Sequence, residues 1–181
     1  MPGPASVLAE PEAAIWAALG EVPDPEIPAI SVVDLGVIGS VELAADRSIV
    51  KVGLMPTFIG CPATEVMREA ITARLEALAV ADRVEVALTY AQPWTSDRIT
   101  PAGREQLRGS GFAPPPHHLR QLTELDQLAV GAEPGVLPGS VTCPYCGSRQ
   151  TTLENPFGPT LCRALYHCAA CTQPFEAFKP I

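Results

Sequence analysis

Two cysteine pairs, CPYCG (Cys143–Gly147) and CAAC (Cys168–Cys171), stand about twenty residues apart near the C-terminus of the 181-residue chain. Each CxxC turn can place two thiolates on one tetrahedral ion, and this separation is that of a structural zinc site. Cys143, Cys146, Cys168 and Cys171 are therefore the candidate Zn²⁺ ligands, with Gly147 easing the tight turn after the second of them. A segment of roughly forty residues has too little core to fold alone, and metal binding would supply the missing free energy. The other reading of such pairs is a disulfide or a redox CxxC. Cys162 is a fifth cysteine in the same segment. It reads as a small buried side chain, with competition for the metal as the alternative.

The sixth cysteine has a different setting. Cys61 follows Gly60 and precedes Pro62 at the start of an amphipathic run, which puts it at or next to a helix N-cap. There the helix dipole and free N–H groups favour a thiolate, suited to ligation, nucleophilic attack or sulfur carriage. A thiol simply buried under the loop is the other reading. A cysteine hydrolase would also need a histidine base. His117 and His118 lie in a proline-rich stretch and His167 abuts a zinc cysteine, so that chemistry is disfavoured. The segment VPDPEIP, Val22 to Pro28, sets Asp24 and Glu26 among three prolines. Residues before proline avoid the helical region, so the loop is stiff. It serves either as a turn in which Asp24 caps backbone N–H groups or as an acidic ligating or docking surface.

Elements to hold these groups follow from periodicity. Glu10 to Leu19 reads as a helix with Pro11 in its first turn and Ile15, Trp16 and Leu19 as an apolar stripe. Val37–Leu43 and Ser48–Leu54, joined by AADR, alternate as an antiparallel hairpin. The run after Cys61 repeats Val66, Met67, Ala70, Ile71, Leu75 and Leu78 at helical spacing. Arg83–Tyr90 alternates again, with Val84, Val86, Leu88 and Tyr90 on one face. Thr100 then caps a short helix that has Pro101 at its first position and ends near Gly109. The order is that of a small two-layer α+β domain over residues 1–112. A Pro/Gly-rich linker follows over 113–140, with room for a helical turn or two in LTELDQLAV. A zinc ribbon over 141–181 has TTLE, LYH and PFEAFK as its strands.

Composition narrows the function. The chain has 47% hydrophobic residues, enough for a proper core, and no apolar run near the roughly 20 residues that span a bilayer. It lacks a signal-peptide pattern, so a soluble cytoplasmic protein without a membrane partner is expected. Twelve Lys and Arg against twenty Asp and Glu leave no basic field for nucleic acid. The ribbon segment offers only Arg149, Arg163 and Lys179 against Glu154 and Glu176, and four thiolates on Zn²⁺ would cancel that excess. Protein docking or a structural role suits the ribbon better.

DPEIP, then SVVDLGVI (Ser31–Ile38), then GCPA (Gly60–Ala63) resemble the signature of the MIP18 family of iron–sulfur cluster assembly domains, over roughly residues 10–92. With PWTSDRITPAGREQLRGSGFAPP and the ribbon added, nearly the whole chain resembles the D-subunit family of the ring 1,2-phenylacetyl-CoA epoxidases (PaaD, also called PaaJ). The bulky MPTFIG approach to Cys61 departs from the general MIP18 pattern and fits this subgroup. The resemblance implies a part in aerobic phenylacetate breakdown. The partners would be the di-iron oxygenase and the flavin and iron–sulfur reductase subunits, and a homodimer stays open. The chain has no Glu-x-x-His pair, dinucleotide loop or ferredoxin spacing, so it reads as an accessory or maturation factor rather than the catalyst. On this reading Cys61 handles iron or a transient iron–sulfur cluster, and Asp24, Glu26 and Asp34 shape the surface around it. A structural adaptor that docks oxygenase subunits through its ribbon is the alternative.

Overall fold

The computed structural model describes residues 4–116 and 141–179. The chain divides into two compact units, Met1–Trp94 and Thr95–Ile181. Most of the 113–140 linker expected from composition, with its LTELDQLAV piece and His117 and His118, lies outside the described residues.

The first unit is α+β. Helix α1 (Pro4–Gly20) leads to strands β1 (Ile38–Leu43) and β2 (Val50–Leu54), helix α2 (Ala63–Leu78) and strand β3 (Val84–Leu88). β1 and β2 form the expected antiparallel hairpin. β3 lies parallel to β2, as a crossover through α2 requires, and the strand order is β1-β2-β3. α2 packs on α1 and on β3. Met67, Ile71 and Leu75 of α2 are buried, as are Ile15 and Leu19 of α1 and Val50, Val52 and Leu54 of β2. Each fully buried side chain of this size contributes about 1.5–3 kcal/mol.

Three expectations shift in detail. α1 starts at Pro4 rather than Glu10, so Pro11 sits inside the helix, where it forgoes one backbone hydrogen bond. Trp16 and Val66 are on the apolar sequence stripes yet remain exposed, because each lies off the narrower seam that meets the core. Leu88 and Tyr90 are also exposed. β3 is an edge strand, and only Val86 of its alternating face is buried.

The second unit opens with a 3-10 turn (Ser96–Arg98) and helix α3 (Pro101–Gly109). Thr100 Oγ1 accepts the Gly103 N–H at 2.9 Å, the expected cap, and Pro101 occupies the first turn. Buried Arg104 of α3 donates to the Pro115 carbonyl and, at 2.7 Å, to that of Ser96, tying the turn to the following chain. Strand β4 (Phe112–Ala113) then pairs with β7 in a four-stranded sheet of order β4-β7-β6-β5. The other strands are β5 (Thr151–Asn155), β6 (Arg163–Cys168) and β7 (Pro174–Phe178), the three read from sequence. The unit boundary thus falls before α3 and not at the change in composition near Ala113. The backbone of β4 is hydrogen-bonded into the ribbon sheet and α3 packs on β4, so both belong with the ribbon.

Candidate functional site

The first CxxC turn precedes β5, and the second joins β6 to β7. In the first, Cys143 N–H donates to Ser148 O at 2.9 Å and Gly147 N–H to Cys143 O at 3.0 Å, with Gly147 at φ +74°. That left-handed conformation is the one glycine adopts without strain. In the second, Cys168 N–H donates to Gln173 O at 3.0 Å, and Thr172 holds the equivalent place at φ +56°. The Thr172 hydroxyl bonds the Cys171 carbonyl at 2.7 Å, steadying a conformation that is costly for a β-branched residue.

These turns bring the Sγ atoms of Cys143, Cys146, Cys168 and Cys171 within 4.8 Å of one another. Cys143 and Cys171 are 3.7 Å apart, and Cys146 and Cys168 3.6 Å. A tetrahedron with metal–sulfur bonds of about 2.3 Å has edges of about 3.8 Å, so the donor set fits an ion of zinc size. A disulfide would need about 2.05 Å, and all four cysteines are free thiols. Cys143 and Cys168 are fully buried beside Ala113, Val141, Phe175 and Ala177, over which Tyr166 stacks on Phe175.

Electrostatics favour a cation at this point. Backbone N–H bonding from Cys171, with further help from Ala170 and the neighbouring thiols, lowers Cys168 to about 6 despite burial. Cys171 is pushed up to about 12: the Gln173 N–H pulls it down, but burial and the neighbouring thiols outweigh that bond. Four thiols in mutual contact cannot all ionise alone, whereas a divalent ion takes all four as thiolates. Cys162 stands outside this group, buried, with its thiol 3.1 Å from Thr160 Oγ1.

In the first unit, Phe58–Cys61 form a tight turn closed by Cys61 N–H to Phe58 O at 3.3 Å, with Gly60 at φ +82°. This is the geometry of a type II turn, which needs a positive φ at its third residue. Ile59 projects from its tip, 88% exposed, while Cys61 is 9% exposed. Pro62 is the N-cap of α2, so Cys61 lies immediately before it, and its carbonyl accepts the Thr64 N–H at 3.2 Å. No side chain caps this helix start. Two threonines that sequence reasoning does not single out, Thr57 and Thr64, are buried on either side of Cys61 in the chain. Thr64 Oγ1 is sealed from solvent and has no hydrogen-bond partner. A threonine three residues after a helix-start cysteine is the signal that could have drawn attention to it.

The VPDPEIP loop takes its capped form. Asp24 is buried, and its Oδ1 accepts the N–H groups of Glu26 at 2.9 Å and Ile27 at 2.8 Å. An antiparallel bridge from Pro23 to Ser31 closes the loop, and Asp24 N–H bonds Ile30 O at 2.9 Å. Glu26 is half-buried on this scaffold. Asp34 and Ser31 cap each other: the Ser31 hydroxyl donates to Asp34 Oδ2 and accepts the Asp34 N–H, both at 3.0 Å. The Trp94 indole donates to Leu35 O at 3.0 Å, fixing the Asp-Leu-Gly turn from the far end of the unit. Among the described residues, the four ribbon cysteines are the one set of three or more His, Cys, Asp or Glu donors close enough to share an ion. Asp24, Glu26, Asp34 and Cys61 are not gathered into such a set. No helix among the described residues is long and apolar enough to cross a membrane.

A family model described as an iron–sulfur cluster assembly protein matches residues 12–88, and one described as the PaaD zinc beta ribbon domain matches residues 133–179. A protein of Escherichia coli (strain K12) named as the D-subunit of 1,2-phenylacetyl-CoA epoxidase is 39% identical over 171 residues, covering 92% of each chain. An Fe-S protein maturation auxiliary factor of Porphyromonas gingivalis (strain ATCC BAA-308 / W83) is 34% identical over 82 residues, 45% of this chain and 76% of that one. A crystal structure of a domain of unknown function, DUF59, from Bacillus anthracis shares the fold at TM-score 0.50 and 23% identity. It covers 55% of this chain and 92% of its own. Taken with the helix-start cysteine and the four-thiol ribbon, the match along almost the full length of both chains means that this chain belongs to the D-subunit family of the 1,2-phenylacetyl-CoA epoxidases.

Proposed function

We propose that the chain is an accessory or maturation subunit of a multicomponent phenylacetyl-CoA 1,2-epoxidase in aerobic phenylacetate degradation, and that it assists iron–sulfur cluster or metal assembly through Cys61. Its partners are the oxygenase and reductase subunits of that system, and Zn²⁺ is the ion of its ribbon. The observation that carries this reading is one chain holding both a cluster-assembly fold with a cysteine at the start of α2 and a four-thiolate ribbon, in a family named for the epoxidase. In this role Asp24 and Asp34 act through the loops they cap, Glu26 rides on the first of those loops, and Cys61 is the reactive group.

The test is Cys61→Ala in cells dependent on the epoxidase. The expected result is a folded protein with full zinc content, at least about a tenfold loss of ring epoxidation, and depleted cluster or iron in the client subunits. Full activity with full cluster occupancy would rule the reading out. A second reading, a docking adaptor, is favoured by the ribbon itself: Leu153, Phe157 and Leu161 are all more than half exposed on one braced hairpin. An adaptor keeps co-purification with the epoxidase and its activity in Cys61→Ala, and loses both when Cys143 is replaced.

A further inference from the structure

Thr64 is 8% exposed, and its hydroxyl reaches neither Cys61 Sγ nor any other group. A threonine in the first turn of a helix ordinarily satisfies its hydroxyl locally, on a carbonyl three or four residues back. A buried hydroxyl left without a bond is costly, so a partner absent from the protein itself is the natural explanation. Thr64 stands in the first turn of α2, and its own N–H bonds the Cys61 carbonyl at 3.2 Å, which holds the two residues side by side. The same helix start has no side-chain cap, so the positive end of its dipole lies at that turn. A thiol, a buried donor hydroxyl and a helix N-terminus thus share the short stretch Cys61–Thr64, a set suited to a small anionic acceptor.

Size and donor count select among such acceptors. An iron–sulfur cluster needs several thiolates, and among the described residues no second cysteine, histidine or carboxylate pair joins Cys61 in a ligand set. One added sulfur atom needs only one thiol and a hydrogen-bond donor. We infer that Cys61 carries a sulfane sulfur as a persulfide, whose terminal sulfur anion accepts the Thr64 hydroxyl at the N-terminus of α2. This rests on the reading of Cys61 as the reactive residue of a cluster-assembly subunit and assigns it the sulfur rather than the iron.

The transfer balances without an external oxidant. The Cys61 thiolate attacks the terminal sulfur of a low-molecular-weight persulfide, R–S–SH. A bond forms between Sγ and that sulfur, the donor's S–S bond breaks, and R–S⁻ leaves. The transferred sulfur arrives with its proton, passes it to solvent and becomes the anion that Thr64 holds.

The experiment treats zinc-loaded full-length protein with glutathione persulfide, removes the reagent and follows the Cys61 peptide by mass spectrometry. Native protein is expected to gain the mass of one sulfur atom at Cys61, with buried Cys162 as the internal control. Thr64→Val should lose that sulfur about tenfold faster or more, as expected for a hydrogen bond to a charged acceptor, and Thr64→Ser should restore retention. Before treatment, Thr64→Val should melt about 2–4 °C higher than native, because an unpaired hydroxyl has been removed. Thr64→Ala repeats the deletion should the valine variant fail to fold. No sulfur on native Cys61, or equal retention without the hydroxyl, overturns the inference. Depleted client clusters in Cys61→Ala cells would in that case leave the maturation reading standing and remove only the sulfur.

Discussion

Cys168→Ser is expected to unfold the ribbon sheet and release its zinc while the first unit stays folded. Cys168 is fully buried, faces Cys146 across 3.6 Å and ends strand β6, so its sulfur belongs to both the ion site and the small core. That core consists of Ala113, Val141, Phe175 and Ala177 with the two buried cysteines, far less than a free-standing domain requires. Structural zinc supplies about 10–16 kcal/mol of apparent binding free energy to such folds, and losing one thiolate removes most of it. Metal analysis should find well under one zinc per chain. Amide exchange should show protection lost across residues 151–178 and kept in α2 and β2. Cys162→Ser, outside the ion site, should keep both zinc and protection. A Cys168→Ser protein with stoichiometric zinc and a protected ribbon would sink the assignment of the four thiolates.

Asp24→Ala carries the second large effect, a loss of about 2–3 kcal/mol from the first unit in urea unfolding. The buried carboxylate accepts two backbone N–H groups in a segment of three prolines. Removing it takes this acceptor from both and loosens the chain between Pro23 and Ser31. Asp24→Asn keeps an acceptor oxygen in the same place and should cost about 1 kcal/mol or less. Because the side chain acts through geometry, the asparagine variant is also expected to preserve client cluster content in cells. Loss of clusters in a fully stable Asp24→Asn protein would show instead that the negative charge itself takes part.

These two sites are legible in the sequence for different reasons. The ribbon cysteines announce themselves because metal chemistry demands fixed spacing, whereas proline makes only the stiffness of the loop legible. The choice between capped turn and acidic surface is made by the Asp24 hydrogen bonds. Helix α2 and the cap at Thr100 are equally plain, since periodicity and local hydrogen bonding decide them. What stays hidden depends on partners distant in the chain. Phe112 and Ala113 are too short a run to show alternation, and they form a strand only because the edge of β7 is there to receive them. Leu88 and Tyr90 alternate like core residues, yet their burial depends on how far helical cover extends over an edge strand. Thr64 is ordinary by type, and only the loss of every partner for its buried hydroxyl sets it apart.

The two-residue strand β4 also dictates where the molecule can be cut. A fragment starting at Val141 would carry all four thiolates yet expose the outer edge of β7, an open template for intermolecular pairing. One starting at Thr95 brings its own edge guard, together with the α3 segment that packs on it. Cleavage at a protease site engineered within 117–140 would accordingly yield a nicked ribbon whose two pieces stay associated through β4 and β7, and not a freed C-terminal module.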